Sequence, residues 1–309
     1  MDVLRLTLRQ LQIFVAVARS GSTTAASQEI ALSQSATSSA VNELEWLLSL
    51  QLFDRAGKRL VLNDNGRALL PRALSLLDGA MGIEQMSRDG QAQVQSLRIG
   101  ASTTIGNYVL PKLLARFVSR QDPGAASAWR SKVVIGNTAA ICDAVAAFEL
   151  DVGLIEGPSH QETLHVTPWL QDEMVVVASP NDPLAGAAQA GGRASVRSLR
   201  ERVWLVREPG SGTREATDQA LLPHLRSYRR SIELGSSEAI KSAAAEGLGV
   251  ACLSSWAVEE SVTAGRLACL ATTLPKIVRQ CYIVVHREKQ PTPALTGFIE
   301  QATRPTTGR

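Results

Sequence analysis

The segment Ser22–Leu48, STTAASQEIALSQSATSSAVNELEWLL, constrains the chain more than any other. It reads as two short helices joined by a tight connection. Ser22 or Thr23 supplies the first cap, and Ala25 and Ala26 are small enough for a second helix to cross closely. Ser33 is the expected N-cap of the second helix, its hydroxyl accepting from an otherwise unpaired backbone N–H. At 3.6 residues per turn, Ala36, Ala40, Val41, Leu44, Leu47 and Leu48 share one arc, with Thr37 among them as an isostere of valine. Ser35, Ser38, Ser39 and Asn42 fall on the opposite arc, flanked by Gln34, Glu45 and Trp46. An apolar arc docked beneath an outward ridge of short hydrogen-bonding side chains is the geometry of a helix-turn-helix. Ser, Gln and Asn near a helix start reach phosphates and base edges, and Gln or Asn pairs bidentately with adenine. The competing reading is an ordinary amphipathic helix in a helical core.

The flanks extend this pattern. Thr7 and Gln10 form a T-x-x-Q capping box ahead of an apolar stripe at Leu8, Leu11, Phe14, Val15 and Ala18, the scaffold helix. Asp54–Leu62 reads as a small hairpin turning at Ala56-Gly57 and carrying Arg55, Lys58 and Arg59. Such a basic loop beside the helix pair suits the phosphate backbone or the adjacent minor groove, against the alternative of ordinary surface charge. Residues 1–90 hold nine Lys/Arg and nine Asp/Glu, and the second helix has neither Lys nor Arg. Base reading must therefore come from neutral donors, with phosphate attraction from the wing. Asn63 or Asp64 caps a further helix running to about Gln85. Along it Leu70, Leu74, Leu77 and Met81 step by four and three residues, a short heptad seam interrupted early by Pro71, which is expected to loosen its first turns. Self-association is the expected use, against packing on its own chain alone.

Thr7–Ser22, the helix pair and Leu52–Gly66 together resemble the winged helix-turn-helix of LysR-type transcriptional regulators, ungapped over about the first 65 residues. The chain departs from that pattern with Ser35 where Pro is usual and Ser39 where a basic residue or Gln is usual. The resemblance implies a homodimer joined by linker helices, a homotetramer as the working assembly, and double-stranded promoter DNA as partner. Ser33, Gln34, Ser35, Ser38, Ser39 and Asn42 are the expected DNA contacts of the helix, and Arg55, Lys58 and Arg59 those of the wing.

Beyond a polar hinge at Ser87–Ser96, short Val/Ile/Leu runs alternate with helical segments: 97–101, 133–135, 152–155, 174–178, 204–206, 250–253 and 282–285. That alternation predicts α/β units around largely parallel sheets, with Asn181–Ser195 as a surface loop. Residues 94–309 continue the resemblance through GASTTIGNY, IGNT, LIEG, REPGSGTR and ELGSSEAIKSAAAEGLGV, and are most similar to the branch that includes Calvin-cycle and sulfur-metabolism regulators. Asp122–Ser131 departs from the branch, without its usual Tyr-Pro segment. The implied architecture is an all-α winged helix-turn-helix (1–65), a long linker helix and hinge (66–93), and a two-lobed Rossmann-like α/β effector domain of the type 2 periplasmic-binding-protein fold (94–309). Lobe one takes about 94–166 and 270–309, and lobe two about 167–269.

Four strand-to-helix junctions carry hydroxyl, amide or charged groups: Ser102, Thr103 and Thr104; Asn137 and Thr138; Glu208, Ser211, Thr213 and Arg214; and Ser236 with Ser237. Each alone is explained by N-capping, and Arg214 by a structural ion pair. With the two lobes that the resemblance implies, they are expected to converge on a cleft for a small anionic metabolite such as a carboxylate, phosphate or sulfate. Nothing resembles a P-loop, a nucleophile elbow or a zincin motif, so a fused catalytic α/β domain is the weaker alternative and no cofactor is expected. The four Cys and four His show no metal spacing. No export signal or apolar run long enough for a bilayer is present, so no membrane partner is expected and the expected compartment is the cytoplasm, which disfavours a transport-type solute-binding protein.

Overall fold

A computed structural model describes residues 5–57, 59–88, 95–119, 129–189 and 191–304. The chain forms two compact units, the first of residues up to 94 together with Glu288–Gln290 and the second of most of the chain from Gln95 onward. Lys58, most of the hinge at Ser87–Ser96 and most of Asp122–Ser131 lie outside the described residues.

In the first unit Thr7 opens α1 (Leu8–Ser20) with a complete capping box. Its hydroxyl accepts from Gln10 N at 3.2 Å, and Gln10 Oε1 accepts from Thr7 N at 2.9 Å. Gly21 ends the helix at φ +64°, a left-handed conformation that glycine adopts without strain. Ser22 caps α2 (Thr23–Glu29) and Ser33 caps α3 (Gln34–Leu48). The three helices close on Leu11, Phe14, Val17, Ala26, Val41, Leu44 and Leu52. Each fully buried Leu or Phe contributes on the order of 2 kcal/mol there. Thr37 is fully buried among them because its hydroxyl donates to Ser33 O at 3.0 Å.

Strands β1 (Phe53–Ala56) and β2 (Arg59–Leu62) pair antiparallel. The final pair is Ala56 with Arg59, so the turn starts one residue later than expected, at Gly57, whose φ is +63°. Asn63 caps α4 (Asp64–Arg88), its Oδ1 accepting from Gly66 N at 3.0 Å. A Cβ at residue 66 would lie 2.2 Å from Leu52 O, so glycine permits that close approach. α4 continues through Pro71. Its heptad seam is divided: Leu70, Leu74 and Leu77 are half-buried against the helix-turn-helix core, whereas Leu76, Met81 and Ile83 are exposed. The first turns thus have a core of their own to pack on.

The second unit contains, in chain order, β3 (Gln95–Ser102), α5 (Thr103–Tyr108), α6 (Leu110–Val118), β4 (Trp129–Gly136), α7 (Thr138–Ala146), β5 (Val152–Glu156) and β6 (Leu164–Ala178). There follow α8 (Pro183–Gln189), α9 (Val196–Arg200), β7 (Val203–Val206), α10 (Gly212–Leu225), β8 (Arg230–Glu233), α11 (Ser237–Ala245), β9 (Val250–Ser254) and α12 (Ser255–Thr263). β10 (Ala268–Cys269), β11 (Ile277–His286) and α13 (Pro293–Thr303) complete it. The strand order is β4-β3-β5-β11-β6-β9-β7-β8, with β10 on β6. β3, β4 and β5 are parallel in one lobe, and β7, β8 and β9 in the other. Long β6 and β11, paired antiparallel, run through both lobes and join them.

Both faces of each lobe's sheet are covered, which is why these strands read as near-continuous apolar runs. Leu97, Ile99 and Ala101 pack with α6 and α13 on one face of lobe one, and Ile141, Val145 and Ile155 fill the other. In lobe two, alternation sends Trp204 and Val206 to one core and Leu205 to the opposite one. The expected loop at Asn181–Ser195 instead contains α8. Asp182 accepts from Leu184 N at 2.8 Å beside Pro183, and the alanine-rich run that follows favours helix.

Candidate functional site

The ridge of α3 faces outward. Ser33, Gln34, Ser35, Ser39 and Asn42 are exposed and Ser38 is half-buried. Ser33 Oγ accepts from Ala36 N at 3.1 Å and lies 3.0 Å from Ser35 Oγ. Serine at position 35 therefore joins the cap that starts the helix. Gln34, Ser38 and Asn42 share one groove of about 570 Å³ with Thr23, Arg55 and Arg59. The structure thus brings the helix ridge and the wing cations onto a single concave surface. Ser35 and Ser39 do not line that groove. Glu45, placed beside the ridge from sequence, accepts from Leu52 N at 2.7 Å and so ties the end of α3 to the wing.

In the second unit three of the four junctions converge on an internal anion between the lobes, and the fourth, at Ser236 and Ser237, is reached through Arg207. Glu156, at the end of β5, is 1% exposed. Its Oε1 accepts from Ser102 Oγ at 2.9 Å, Thr104 N at 2.7 Å and Ile105 N at 3.1 Å. Its Oε2 accepts from Thr213 Oγ1 at 3.0 Å and Arg279 Nη1 at 2.8 Å. The start of α5 does meet a negative charge, as its dipole and free N–H groups favour, but that charge belongs to the protein. Burial pushes the Glu156 carboxyl up. The Arg279 charge and the hydrogen bonds outweigh it, and the group is held below the ordinary glutamate range. Arg279 also reaches Asp172 at 2.6 Å, and Ser254 Oγ donates to Asp172 at 2.8 Å. Burial dominates for Asp172, whose pKa is raised.

Thr138 and Gly212 seal the same seam. Thr138 Oγ1 donates to Glu156 O at 3.0 Å and accepts from Gly212 N at 3.2 Å. Ser102, Thr104, Thr138, Ser211 and Thr213 are all buried. Arg214 is engaged by Asp218 at 2.7 Å, Glu233 at 3.4 Å and Arg207 O at 2.8 Å, the structural ion pairing that sequence left open. Asn137 caps α7 by accepting from Ala140 N at 2.9 Å, and Ser236 caps α11.

Thr103, Asn137, Glu208 and Ser236 are less buried than this seam, and Thr103 and Glu208 contact a cation that sequence reasoning missed. Arg207, directly after β7, is 3% exposed. Its Nη1 donates to Ser237 Oγ at 2.9 Å, and its Nη2 lies 3.4 Å from Thr103 Oγ1 across the cleft. Its Nε and Nη2 hold Glu208 at 2.7 and 2.9 Å. Glu156, Asp172 and Arg279 were missed as well. The available signal was a charged residue within or ending an otherwise apolar strand, where an unpaired charge would be too costly to keep.

Among the described residues no cluster of His, Cys, Asp and Glu could hold a metal ion, and no helix is long and apolar enough to cross a membrane. Residues 8–67 match the model of bacterial regulatory helix-turn-helix proteins of the lysR family, and residues 90–305 match the LysR substrate binding domain. The chain is 45% identical to the Escherichia coli K12 protein named "Uncharacterized HTH-type transcriptional regulator YeiE", over 96% of this chain and 97% of that one. It is 30% identical to the RuBisCO operon transcriptional regulator of Allochromatium vinosum, over 96% and 95%. The regulatory domain of Synechocystis PCC6803 CcmR, solved in complex with 2-PG, superposes with a TM-score of 0.59 at 29% identity, over 67% of this chain and 95% of that one. These two relatives are named as regulators of transcription, not as enzymes. The chain belongs to the LysR family, as a transcriptional regulator that couples a DNA-binding helix-turn-helix to an effector-binding domain.

Proposed function

We propose that this regulator reads a promoter sequence with the ridge of α3 and responds to a small anionic metabolite bound between the lobes of its second unit. The observation that carries the DNA reading is the shared groove of Gln34, Ser38, Asn42, Arg55 and Arg59. In this reading Gln34 and Asn42 meet base edges. Ser33, Ser35, Ser38 and Ser39 meet phosphates or edges alongside them, and Arg55, Lys58 and Arg59 hold the backbone. The exposed Met81 and Ile83 of α4 supply the dimer contact beyond the self-packed Leu70, Leu74 and Leu77. Two modules so joined read half-sites about 34 Å apart, a dimer of dimers forms the working assembly, and the regulator acts in the cytoplasm.

For the effector, Asn137 and Arg207 offer N–H donors between the lobes, with the hydroxyls of Ser236, Ser237 and Thr103 beside them, that of Thr103 donating to Gly136 O at 3.0 Å. Ser102, Thr104, Thr138, Ser211, Thr213 and Arg214 set its floor and walls. The anionic class rests on Arg207, a buried guanidinium facing both lobes. The CcmR domain bound to 2-PG supports a small molecule at an effector domain of this kind. The ligand acts by preferring one arrangement of the lobes over another, since equal affinity for both would shift nothing.

Selection of duplexes from a random pool with the intact protein tests the DNA half. A consensus of two related half-sites is expected, and Q34A or N42A weakens the selected duplex more than bulk DNA. If no sequence outcompetes bulk DNA at moderate salt, sequence-specific reading is wrong.

A further inference from the structure

The guanidinium of Arg207 is filled by the next residue in the chain. Glu208 Oε2 accepts from Nε at 2.7 Å and its Oε1 from Nη2 at 2.9 Å, a bidentate fork. The same Oε1 accepts from Asn137 Nδ2 at 3.3 Å in lobe one. One carboxylate therefore satisfies the cation of lobe two and touches a donor of lobe one. These are the demands that an anionic ligand between the lobes would meet. A second cation repeats the arrangement. Lys241 pairs with Glu238 of its own helix at 2.9 Å, and both reach the hydroxyl of Tyr108 in lobe one.

Glu156 and Glu208 differ in what holds them. Glu156 has five donors and is 1% exposed. Removing it would deprive a buried Arg279 of one of its two carboxylate partners, so it is a fixed part of the wall. Glu208 has a side chain 24% exposed and borders water. Swinging outward, it regains hydration while remaining attached. Its hydrogen bond to Arg207 holds its pKa below the usual glutamate range, so it presents a full carboxylate charge to the fork.

We propose that Glu208 is a tethered stand-in for the effector, occupying the Arg207 fork until an oxyanion with two suitably spaced oxygens displaces it and takes its place on Arg207 and Asn137. This rests on the reading of the cleft as the effector site and adds its regulation. Glu208 is a competitor of the ligand, not one of its contacts. The exchange swaps one charge-assisted fork for another and leaves the desolvated Arg207 paired throughout. Apparent affinity is reduced by the fraction of time the fork is held internally. The chemistry selected is a carboxylate or a tetrahedral inorganic oxyanion.

The test titrates the intact protein, its E208Q variant and its R207K variant with sodium sulfate, sodium phosphate and sodium acetate. Each is compared with sodium chloride at matched ionic strength, and binding is read by thermal shift and calorimetry. Glutamine keeps the length of Glu208 and loses the charge. Lysine keeps the charge of Arg207 and loses the fork, so both variants are expected to fold, as circular dichroism checks. The expected result is that E208Q binds at least one oxyanion roughly tenfold tighter than the parent, while R207K binds the same anion more weakly than the parent. The anion that gains most distinguishes a carboxylate effector from an inorganic one. An affinity unchanged or weakened in E208Q, with R207K still impaired, overturns the competitor role and leaves the cleft as the effector site. Binding indifferent to both variants overturns the cleft reading together with the proposal.

Discussion

Replacing Glu156 with Gln removes one acceptor position and a buried charge without changing shape. In the parent, Oε1 takes three donors and Oε2 takes two. The amide oxygen of Gln serves the three-donor side better, which turns the –NH2 group toward Thr213 Oγ1 and Arg279 Nη1. Two acceptances are lost there, one of them from a buried cation. Both bonds end on a charged carboxylate, and a hydrogen bond to a charged group contributes about 1.5–3 kcal/mol. Breaking a buried ion pair from one side costs about 3–5 kcal/mol, which agrees with that sum. For a module of this size each kcal/mol lowers Tm by roughly 2–4 °C, so E156Q is expected to melt about 6–20 °C lower.

The assay is chemical and thermal unfolding of the intact protein, followed by emission of buried tryptophans such as Trp204. The pH dependence gives an independent check. A carboxyl whose folded pKa is depressed contributes stability above its unfolded value, near 4.5, and that contribution is lost as pH falls through the folded value. The gap between parent and E156Q should therefore be full at neutral pH and close progressively below about pH 4.5. A loss under about 1 kcal/mol, or a gap independent of pH, would refute the idea of Glu156 as a charged hub between the lobes.

Three further outcomes are expected. G212A should destabilise the second unit by about 1–3 kcal/mol or more, because a Cβ there would lie 1.7 Å from Glu156 O; near-parent denaturant stability would contradict the close approach. R55A and R59A should weaken selected and bulk DNA alike and flatten the salt dependence by a log–log slope of roughly one per lost phosphate contact; a sequence-selective loss would reverse the assigned division between wing and helix. The double variant M81D/I83D should lower the assembly mass by light scattering, whereas an unchanged mass would place self-association elsewhere.

The sequence announced the outward ridge of α3 better than the polar network between the lobes, and the reason is the range of the interactions. Ser33, Thr7 and Asn63 act within three residues of themselves, so their caps are written in local order. The ridge of α3 and the buried Thr37 follow from helical period alone. Glu156 and Arg279 are 123 residues apart, and no local period links them. Hydroxyls at the start of α5 were legible as donors for an anion. That the anion is Glu156 depends on how β5, α10 and β11 converge. Arg207 was hidden in the same way, since only the fold shows that the residue after a buried strand faces the opposite lobe. The heptad seam of α4 was legible as apolar, but its period could not say which turns are already covered by α1.

If occupation of the cleft is coupled to reading of DNA, a footprint measures that coupling directly. The intact protein is bound to its selected duplex and probed by nuclease with and without the oxyanion that binds most tightly. Linkage requires that an anion preferring one protein state changes the footprint or the duplex affinity, and that DNA changes the affinity for the anion by the same factor. A shift in protected length or spacing, present in the parent and abolished in R207K, is the expected result. Identical footprints and affinities at saturating anion would contradict the account.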